Sequence, residues 1–381
     1  MGPVLRHVGF PYEDKGYGMN TPVYVTRTRM PSLQEYSRQL SGVFDAAWIT
    51  NGGDCVLRLE QALRDYLHVP HLLLCNNGTT ALMLVLQCAG LAGKKVAVTP
   101  YTYVATLSAA LWMGCTPVFV DVDPGTLCLS PEKLRQAFNR KPDIAGVIPV
   151  HVYGLPCDVD GLETVCREHG ATLVYDAAQA FGSTFRKKSL LAYGDYSICS
   201  FHATKIFHTA EGGCVICRTR EAQEQLELAR AFGHRGDTHI RLGINAKLSE
   251  LHAAMGLALL PGTTEEIGKR RKLIAAYDAA LDGLPLGYPV RSEGWNSVYY
   301  PVLLPDEGCL LRVTAALEQR NIRPRRYFYP ALNTLDYLRP EWRTPCPVAE
   351  DAAKRVLCLP LYGDMPGGVV EETAEALRAE V

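Results

Sequence analysis

Short apolar segments alternate with helix-like segments over residues 55–176, and this alternation limits the possible folds more than any other feature. The helix-like segments carry apolar residues at intervals of three and four, as at Val56, Leu59, Leu63 and Leu67. Short apolar strands separated by helices of this length form βαβ units around a buried, mostly parallel sheet. We therefore predict an α/β core. The predicted strands are 71–75, 96–100, 117–121, 144–150 and 171–176, and the predicted helices are 56–67, 80–91, 104–113, 131–139 and 161–169.

The pattern changes after Asp176. The apolar segments ICSFHATKI and CVICRT are separated by a short link, which predicts an antiparallel or irregular section. Further helices are predicted over 221–232 and 249–260, and a long helix from about Thr264. A strand (298–304) and a helix (309–320) follow. We predict a large α/β domain with an N-terminal arm over 1–260, with helices on both sheet faces, and a linker helix with a small α+β domain over 261–381.

The charge balance excludes several classes of function. A formal net charge of -1 provides no basic field for a nucleic-acid backbone. No stretch approaches the roughly 18 apolar residues of a membrane span, and the start MGPVLRHVGFPYEDKGYG lacks the plan of a signal peptide. The thirteen cysteines are scattered through apolar segments, which favours free thiols in a reducing compartment. We therefore expect a cytoplasmic protein that binds neither nucleic acid nor membrane.

We expect no metal site. Cys214 and Cys217 have CxxC spacing, but the alternation of a strand directs the two thiols to opposite faces. No second CxxC completes a zinc site. His202 and His208 are six residues apart in a predicted loop, which is not a recognised metal-binding spacing.

Polar residues follow several strands, at the sheet edge where parallel α/β proteins bind ligands. The turn Asn76–Thr80 joins a strand to a helix, and the amides of Gly78 and Thr79 would face an anion from a helix N-terminus. An ordinary turn with a threonine N-cap is the alternative. Asp176 ends an apolar strand, and its carboxylate needs a cationic partner such as a protonated cofactor nitrogen. Capping of the next turn is the alternative there.

One lysine differs from the others. Lys205 lies among apolar and small residues in SFHATKIFHTAEGG, where burial would lower the pKa of its amine and make it a nucleophile. Other lysines occur as pairs in polar turns, as at Lys94 and Lys95. The loop 243–250 precedes a helix, and a helix cap is the default interpretation of Ser249.

These motifs in this order resemble the fold-type I pyridoxal-phosphate (PLP) enzymes of the DegT/StrS-type sugar aminotransferase family. The resemblance covers about residues 22–365 and implies an α/β PLP-dependent transferase that works as a homodimer with shared active sites. The roles that it implies are phosphate binding for Gly78, Thr79 and Ser200, ring stacking for Tyr103, contact with the pyridinium nitrogen for Asp176, a place near the 3-hydroxyl for Gln179, the Schiff base for Lys205, and contact with the neighbouring subunit's phosphate for Asn245.

The same resemblance suggests a substrate. In this family Lys205 would carry the catalysis, moving a proton while glutamate gives its amino group to a nucleotide-linked ketosugar. The segments PVHVYGLPCDVDGLE and RRYFYPAL are most similar to the branch that acts at C-4 of dTDP-4-keto-6-deoxyglucose, as in viosamine and O-antigen synthesis. The candidate substrate-binding residues are Lys247, Arg326, Tyr327, Tyr329 and His208, with Arg325 in the same cluster as Arg326.

Other activities stay open at this point. Amination at C-3, or of a GDP- or UDP-linked ketosugar, would use the same motifs. A PLP-dependent sugar dehydratase is a further alternative, although the branch with that activity replaces the lysine with histidine. A related PLP-binding regulatory protein would need a DNA-binding or partner module, for which the sequence offers no segment.

Overall fold

The computed structural model describes residues 21–381, and the segment used to judge a signal peptide lies outside them. The helices are α1 (Leu33–Asp45), α2 (Asp54–Leu67), α3 (Gly78–Cys88), α4 (Val104–Trp112), α5 (Pro131–Arg140), α6 (Val159–His169), α7 (Arg220–Arg230), α8 (Glu250–Leu259), α9 (Thr263–Ala280), α10 (Glu307–Gln319), α11 (Pro347–Arg355) and α12 (Val369–Glu380). The strands are β1 (Val23–Tyr24), β2 (Leu72–Cys75), β3 (Lys95–Val98), β4 (Thr116–Phe119), β5 (Ile144–Ile148), β6 (Thr172–Asp176), β7 (Thr184–Phe185), β8 (Lys188–Ser189), β9 (Tyr196–Ser200), β10 (Gly213–Cys217), β11 (His234–Arg235), β12 (Thr238–His239), β13 (Tyr300–Leu303), β14 (Ile322–Arg323) and β15 (Val356–Leu359).

A seven-stranded sheet in the order β2-β10-β9-β6-β5-β3-β4 confirms the predicted α/β core. The neighbours from β9 to β4 pair in parallel, whereas β10 runs antiparallel to both β2 and β9. The link between β9 and β10, residues 201–212, contains no helix, whereas parallel neighbours are usually joined by a helical crossover. The antiparallel section predicted after Asp176 is therefore confirmed.

Apolar side chains cover both faces of this sheet. One buried cluster includes Val215 and Cys217 of β10, and a second includes Cys214 and Ile216 of the same strand. The two thiols of the CxxC segment thus lie on opposite faces, as the alternation of a strand predicts. Among residues 21–381, no group of three or more His, Cys, Asp or Glu side chains is arranged to hold a metal ion.

Several helices differ from the predictions at their ends. Helix α3 begins at Gly78 rather than Thr80, because the Asn77 side chain accepts a hydrogen bond from the Thr80 amide and caps the helix. Helix α1 was not predicted. Its signal was the capping box of Ser32 and Glu35, in which each side chain binds the other residue's amide.

The C-terminal part of the chain has its own buried cluster, which includes Tyr300, Leu310, Leu357 and Leu377. Strands β13 and β15 pair antiparallel there, and β1 pairs in parallel with β14. Helix α11, strand β15 and helix α12 were not individually predicted. The division into domains at residue 260 stays a prediction. None of the helices formed by the described residues is long and apolar enough to cross a membrane.

Candidate active site

A cavity of about 310 Å³ opens where β2, β6 and β9 end. Parallel strands β6 and β9 finish at Asp176 and Ser200, and β2 leads into the turn before α3. The cavity lining includes seven of the predicted cofactor residues together with one predicted substrate residue: Gly78, Thr79, Tyr103, Asp176, Gln179, Ser200, Lys205 and Tyr327. The residues predicted from the ends of the strands therefore line one cavity.

The N-terminus of α3 forms one wall. Asn77 caps the Thr80 amide (2.7 Å), which leaves the Gly78 and Thr79 amides without an intrahelical partner. A Cβ atom at Gly78 would lie 3.0 Å from the Cβ of Ser200, so glycine allows α3 to approach β9 closely. This approach brings a helix N-terminus and a hydroxyl together, which suits an anionic group such as a phosphate. The alternative of a threonine N-cap is wrong, because Asn77 is the cap.

Asp176 is buried at the end of β6, and each of its oxygens accepts a hydrogen bond. Thr106 Oγ1 donates to Oδ2 (2.6 Å), and the Ala178 amide donates to Oδ1 (3.0 Å). Burial nevertheless raises the pKa of Asp176, although both donors and nearby Lys205 favour the charged form. The Ala178 amide follows Asp176 in the chain, so its bond to Oδ1 agrees with capping of the next turn, whereas Oδ2 takes no part in such a cap. A carboxylate in this environment is suited to a cationic ligand atom.

Lys205 follows β9 in a tight turn, in which its amide donates to the His202 carbonyl (2.9 Å). Its amine has no hydrogen-bond or ion-pair partner among residues 21–381. Burial lowers the pKa of Lys205, an effect that the charge of Asp176 partly opposes. The lowered pKa and the absence of a bonding partner both increase the fraction of free amine, which is the form that attacks an aldehyde.

Tyr103 and Gln179 complete the predicted cofactor set on this chain. Tyr103 precedes α4, is 60% exposed and lines the cavity, so a planar ligand can stack on its ring. Gln179 is buried, and its Oε1 accepts a hydrogen bond from the Tyr153 amide (2.7 Å), which leaves its NH₂ group to donate.

Several cavity residues were missed. Thr106 binds Asp176, and Thr102 Oγ1 lies 3.1 Å from Thr106 Oγ1. Helical spacing from Tyr103 carried a signal for Thr106, since positions three apart share a helix face. The other missed polar side chains of the lining include His202, Thr204, Glu211 and Tyr299. His202 Nδ1 lies 2.9 Å from Thr204 Oγ1, and His202 Nε2 lies 3.7 Å from Glu211 Oε1.

The structure does not bring three predicted substrate residues into the cavity. His208 is buried, with Nδ1 accepting from the Ala210 amide (3.1 Å) and Nε2 donating to the Arg29 carbonyl (2.6 Å), so neither nitrogen is available to a ligand. Arg326 donates to Glu307 (2.7 Å) and lies 3.5 Å from the centre of the Tyr329 ring. These contacts hold the side chains of Arg326 and Tyr329 outside the cavity.

Asn245 and Lys247 also lie outside this chain's cavity. Lys247 Nζ donates to Asn245 Oδ1 (2.8 Å), and Asn245 is exposed. Ser249 caps α8 through the His252 amide (3.4 Å), as the default interpretation predicts. Any contribution of Asn245 or Lys247 to an active site would therefore have to reach another subunit.

The residues that are present fit PLP. An uncapped helix start beside Ser200 suits its phosphate, an exposed ring at Tyr103 suits its planar face, and buried Asp176 suits its ring nitrogen. Lys205, with an unpaired amine of lowered pKa, suits its aldehyde.

Comparisons with known proteins agree with this chemistry. The model of the DegT/DnrJ/EryC1/StrS aminotransferase family matches residues 33–378. The dTDP-4-amino-4,6-dideoxy-D-glucose transaminase of Shigella dysenteriae is 34% identical over 94% of this chain and 99% of its own length. The GDP-perosamine synthase of Vibrio cholerae is 29% identical over 91% of this chain and 97% of its own.

A solved structure gives the same result. The crystal structure of DesI in the presence of its TDP-sugar product superposes with a TM-score of 0.87 at 31% identity, and the match covers 94% of this chain and 93% of DesI. Since the family model spans most of the chain and the fold and cavity agree with it, this chain belongs to the DegT/DnrJ/EryC1/StrS aminotransferase family and is a PLP-dependent aminotransferase.

Proposed function

We propose that this protein transfers the amino group of glutamate to C-4 of a dTDP-linked 4-keto-6-deoxyhexose. The observation that carries the amino transfer is the meeting of Lys205, Asp176 and the start of α3 in one cavity. The choice of sugar is supported by the Shigella dysenteriae relative and by a second dTDP-4-amino-4,6-dideoxy-D-glucose transaminase, from Escherichia coli, at 33% identity over 94% of the chain.

The chain's own residues divide the work. PLP, when bound, accepts the electrons of the bond broken at the donor's α-carbon. The Gly78 and Thr79 amides and the Ser200 hydroxyl would hold the phosphate, and Asp176 would hold the ring nitrogen in its protonated form. The Lys205 amine would hold the cofactor covalently and, in its free form, would take up the proton that leaves the donor's α-carbon.

The sugar assignment is tested with a panel of dTDP-, GDP- and UDP-linked ketosugars and glutamate, with 2-oxoglutarate measured as the co-product. We expect the highest kcat/KM with dTDP-4-keto-6-deoxyglucose, and an amino group at C-4 in the NMR spectrum of the product. A preference for another nucleotide, or an amino group at C-3, would overturn the choice of sugar. Sugar deoxygenation without 2-oxoglutarate would overturn transamination.

We also propose a homodimer in which Asn245 and Lys247 of each subunit reach the partner's cavity. Both residues lie outside their own cavity, beside a surface rich in apolar side chains. Leu242 and Ile244 near them are exposed, as is Phe232, whose ring centre lies 5.3 Å from the Lys247 amine. Phe44, Trp48 and Ile49 are also exposed, and the Glu250 amide donates to the Ile49 carbonyl (3.0 Å). So much exposed apolar surface indicates an interaction site.

Subunit mixing tests this arrangement. Lys205→Ala and Asn245→Ala subunits should each be inactive or strongly impaired alone. After unfolding and refolding together in equal amounts, they should recover about a quarter of wild-type activity, since half of the dimers would contain one site with both native residues. Additive activities of the two variants, without recovery, would show that Asn245 acts within its own subunit or not at all.

The expected compartment is the cytoplasm. Support comes from the thirteen cysteines, all of which are free thiols and twelve of which are buried. There the product would serve as an activated aminosugar for polysaccharide synthesis, such as that of an O-antigen.

A further inference from the structure

Arg325 stands out among the side chains of the cavity. Of the residues that the structure describes, only Lys205 and Arg325 bring a lysine or arginine side chain to the lining. No carboxylate of residues 21–381 pairs with the Arg325 guanidinium, whose side-chain contact is the Tyr327 ring, 5.5 Å from Cζ to the ring centre. The adjacent Arg326, by contrast, is paired with Glu307 and donates to two backbone carbonyls.

The backbone holds Arg325 in a fixed position. Its amide donates to the Cys358 carbonyl (3.2 Å), and the Cys358 amide donates back to the Arg325 carbonyl (2.8 Å), which fastens this residue to β15. Beside it, the rings of Tyr327 and Tyr299 are 5.4 Å apart and edge to face. A guanidinium on a fixed backbone is suited to geometry-dependent recognition of an anion.

Tyr327 connects Arg325 with the reactive lysine. Burial raises the pKa of Tyr327 to about 12, and the positive charges of both Arg325 and Lys205 act against this rise. A single phenol therefore lies within electrostatic reach of both cations. An anion at Arg325 would be close to the amine that performs the chemistry.

An amino-acid donor supplies an anion at this position. Its carboxylate is attached to the same carbon as the amine that reacts, so both groups must enter the cavity together. The acidic side chains of the lining, Asp176 and Glu211, would repel that carboxylate. Lys205 is committed to the cofactor, which leaves Arg325 as the cation that can pair with it.

We propose that Arg325 binds the carboxylate of the amino donor, through paired hydrogen bonds from its guanidinium, and so selects an amino acid over a simple amine. This assignment rests on the proposed transamination. The nucleotide diphosphate is the other anion that reaches the site, but a sugar ring separates it from the carbon that reacts. The carboxylate is therefore the anion that fits a cation close to Lys205.

The test uses the PLP-loaded protein and three variants, Arg325→Gln, Arg325→Lys and Arg323→Gln. Arg323 is the matched control, because its guanidinium donates to the Glu318 carbonyl and does not line the cavity. Three quantities are measured: glutarate affinity by calorimetry, glutamate affinity from the loss of the cofactor's visible absorbance, and ketosugar affinity from the return of that absorbance in protein carrying the aminated cofactor.

Arg325→Gln should weaken glutarate and glutamate binding by about ten- to a hundredfold, the range for a lost charge-assisted hydrogen bond. Arg325→Lys should fall between this variant and the wild type, since it keeps the charge without the paired donors. Ketosugar affinity should change less than about threefold in each variant. Arg323→Gln should match the wild type in all three measurements.

Unchanged glutamate and glutarate affinities in Arg325→Gln would overturn the assignment. So would a weakening confined to the ketosugar, which would assign Arg325 to the diphosphate instead. Failure of the wild type to react with glutamate would count against transamination, and glutarate binding would still report on Arg325. The two proposals can thus fail separately.

Discussion

Replacement of Lys205 by alanine is expected to lower amino-group transfer by more than about a thousandfold. The variant loses the covalent attachment of the cofactor and also the amine that carries the proton. The start of α3, Ser200 and Asp176 remain in place, so PLP should still bind without a covalent bond. Turnover with glutamate measures the first effect, and cofactor retained after dialysis measures the second.

Borohydride reduction provides a readout that is independent of turnover. It fixes the cofactor to the amine with which it has condensed, so mass spectrometry of wild-type protein should find the added mass on the peptide that contains Lys205. The variant should carry no added mass. Lys94→Ala is a suitable control, because Lys94 is an exposed lysine outside the cavity and its loss should change neither result. Near-normal turnover of Lys205→Ala would refute the assignment.

The position of the site follows from regularities that are visible in the sequence. Buried strands reveal themselves by short apolar runs, and parallel strands bring their carboxyl ends to one edge. Asp176 and Lys205 are both tied to such ends, and they meet in the cavity as predicted. The N-terminus of α3 could be located in the same way, although the sequence did not identify Asn77 as its cap.

Side chains in irregular segments could not be predicted in this way. Arg325 and Arg326 are chemically identical neighbours, yet one lines the cavity and the other pairs with Glu307. No periodicity applies to the segment RPRRYFYP, so the direction in which each of its side chains points depends on tertiary contacts. His208 shows the same limit, because its nitrogen binds the carbonyl of Arg29, 179 positions away.

Residues that serve a partner subunit raise a different difficulty. Asn245 and Lys247 lie outside the cavity of their own chain, and a single chain contains no contact that would assign them a role. Their proposed function depends on the family resemblance and on the exposed apolar surface nearby. For this reason the subunit-mixing experiment tests them more directly than any property of one chain.

Asp176→Asn is expected to have opposite effects on stability and on function. Burial raises the pKa of Asp176 above the usual aspartate value of about 3.9, so the folded cofactor-free protein holds this proton more tightly than the unfolded chain does. The free energy of unfolding therefore falls as pH rises from about 3.9 through the raised pKa. Asparagine keeps the shape without the charge and should remove this loss.

Binding of the cofactor reverses the sign of the effect of Asp176→Asn, from favourable to unfavourable. With PLP bound, the charged carboxylate would face a cationic ring nitrogen, and loss of one member of a buried ion pair costs about 3–5 kcal/mol, or roughly two to four orders of magnitude. Asp176→Asn should weaken cofactor binding and kcat together by that order. Thr106→Val, which removes one hydrogen bond to the carboxylate, should have a smaller effect in the same direction.

Urea unfolding of the cofactor-free proteins at about pH 4 and about pH 8 separates these two roles. Between these values the wild type should lose stability relative to Asp176→Asn, and at the higher pH the variant should be at least as stable as the wild type. Asp160→Asn, at an exposed ion pair with Arg186, controls for removal of a carboxylate and should leave cofactor binding unchanged. An Asp176→Asn protein that is less stable without cofactor yet fully active with it would identify this carboxylate as structural. The expected opposite signs would instead identify a carboxylate that is kept at a cost to stability because the cofactor requires its charge.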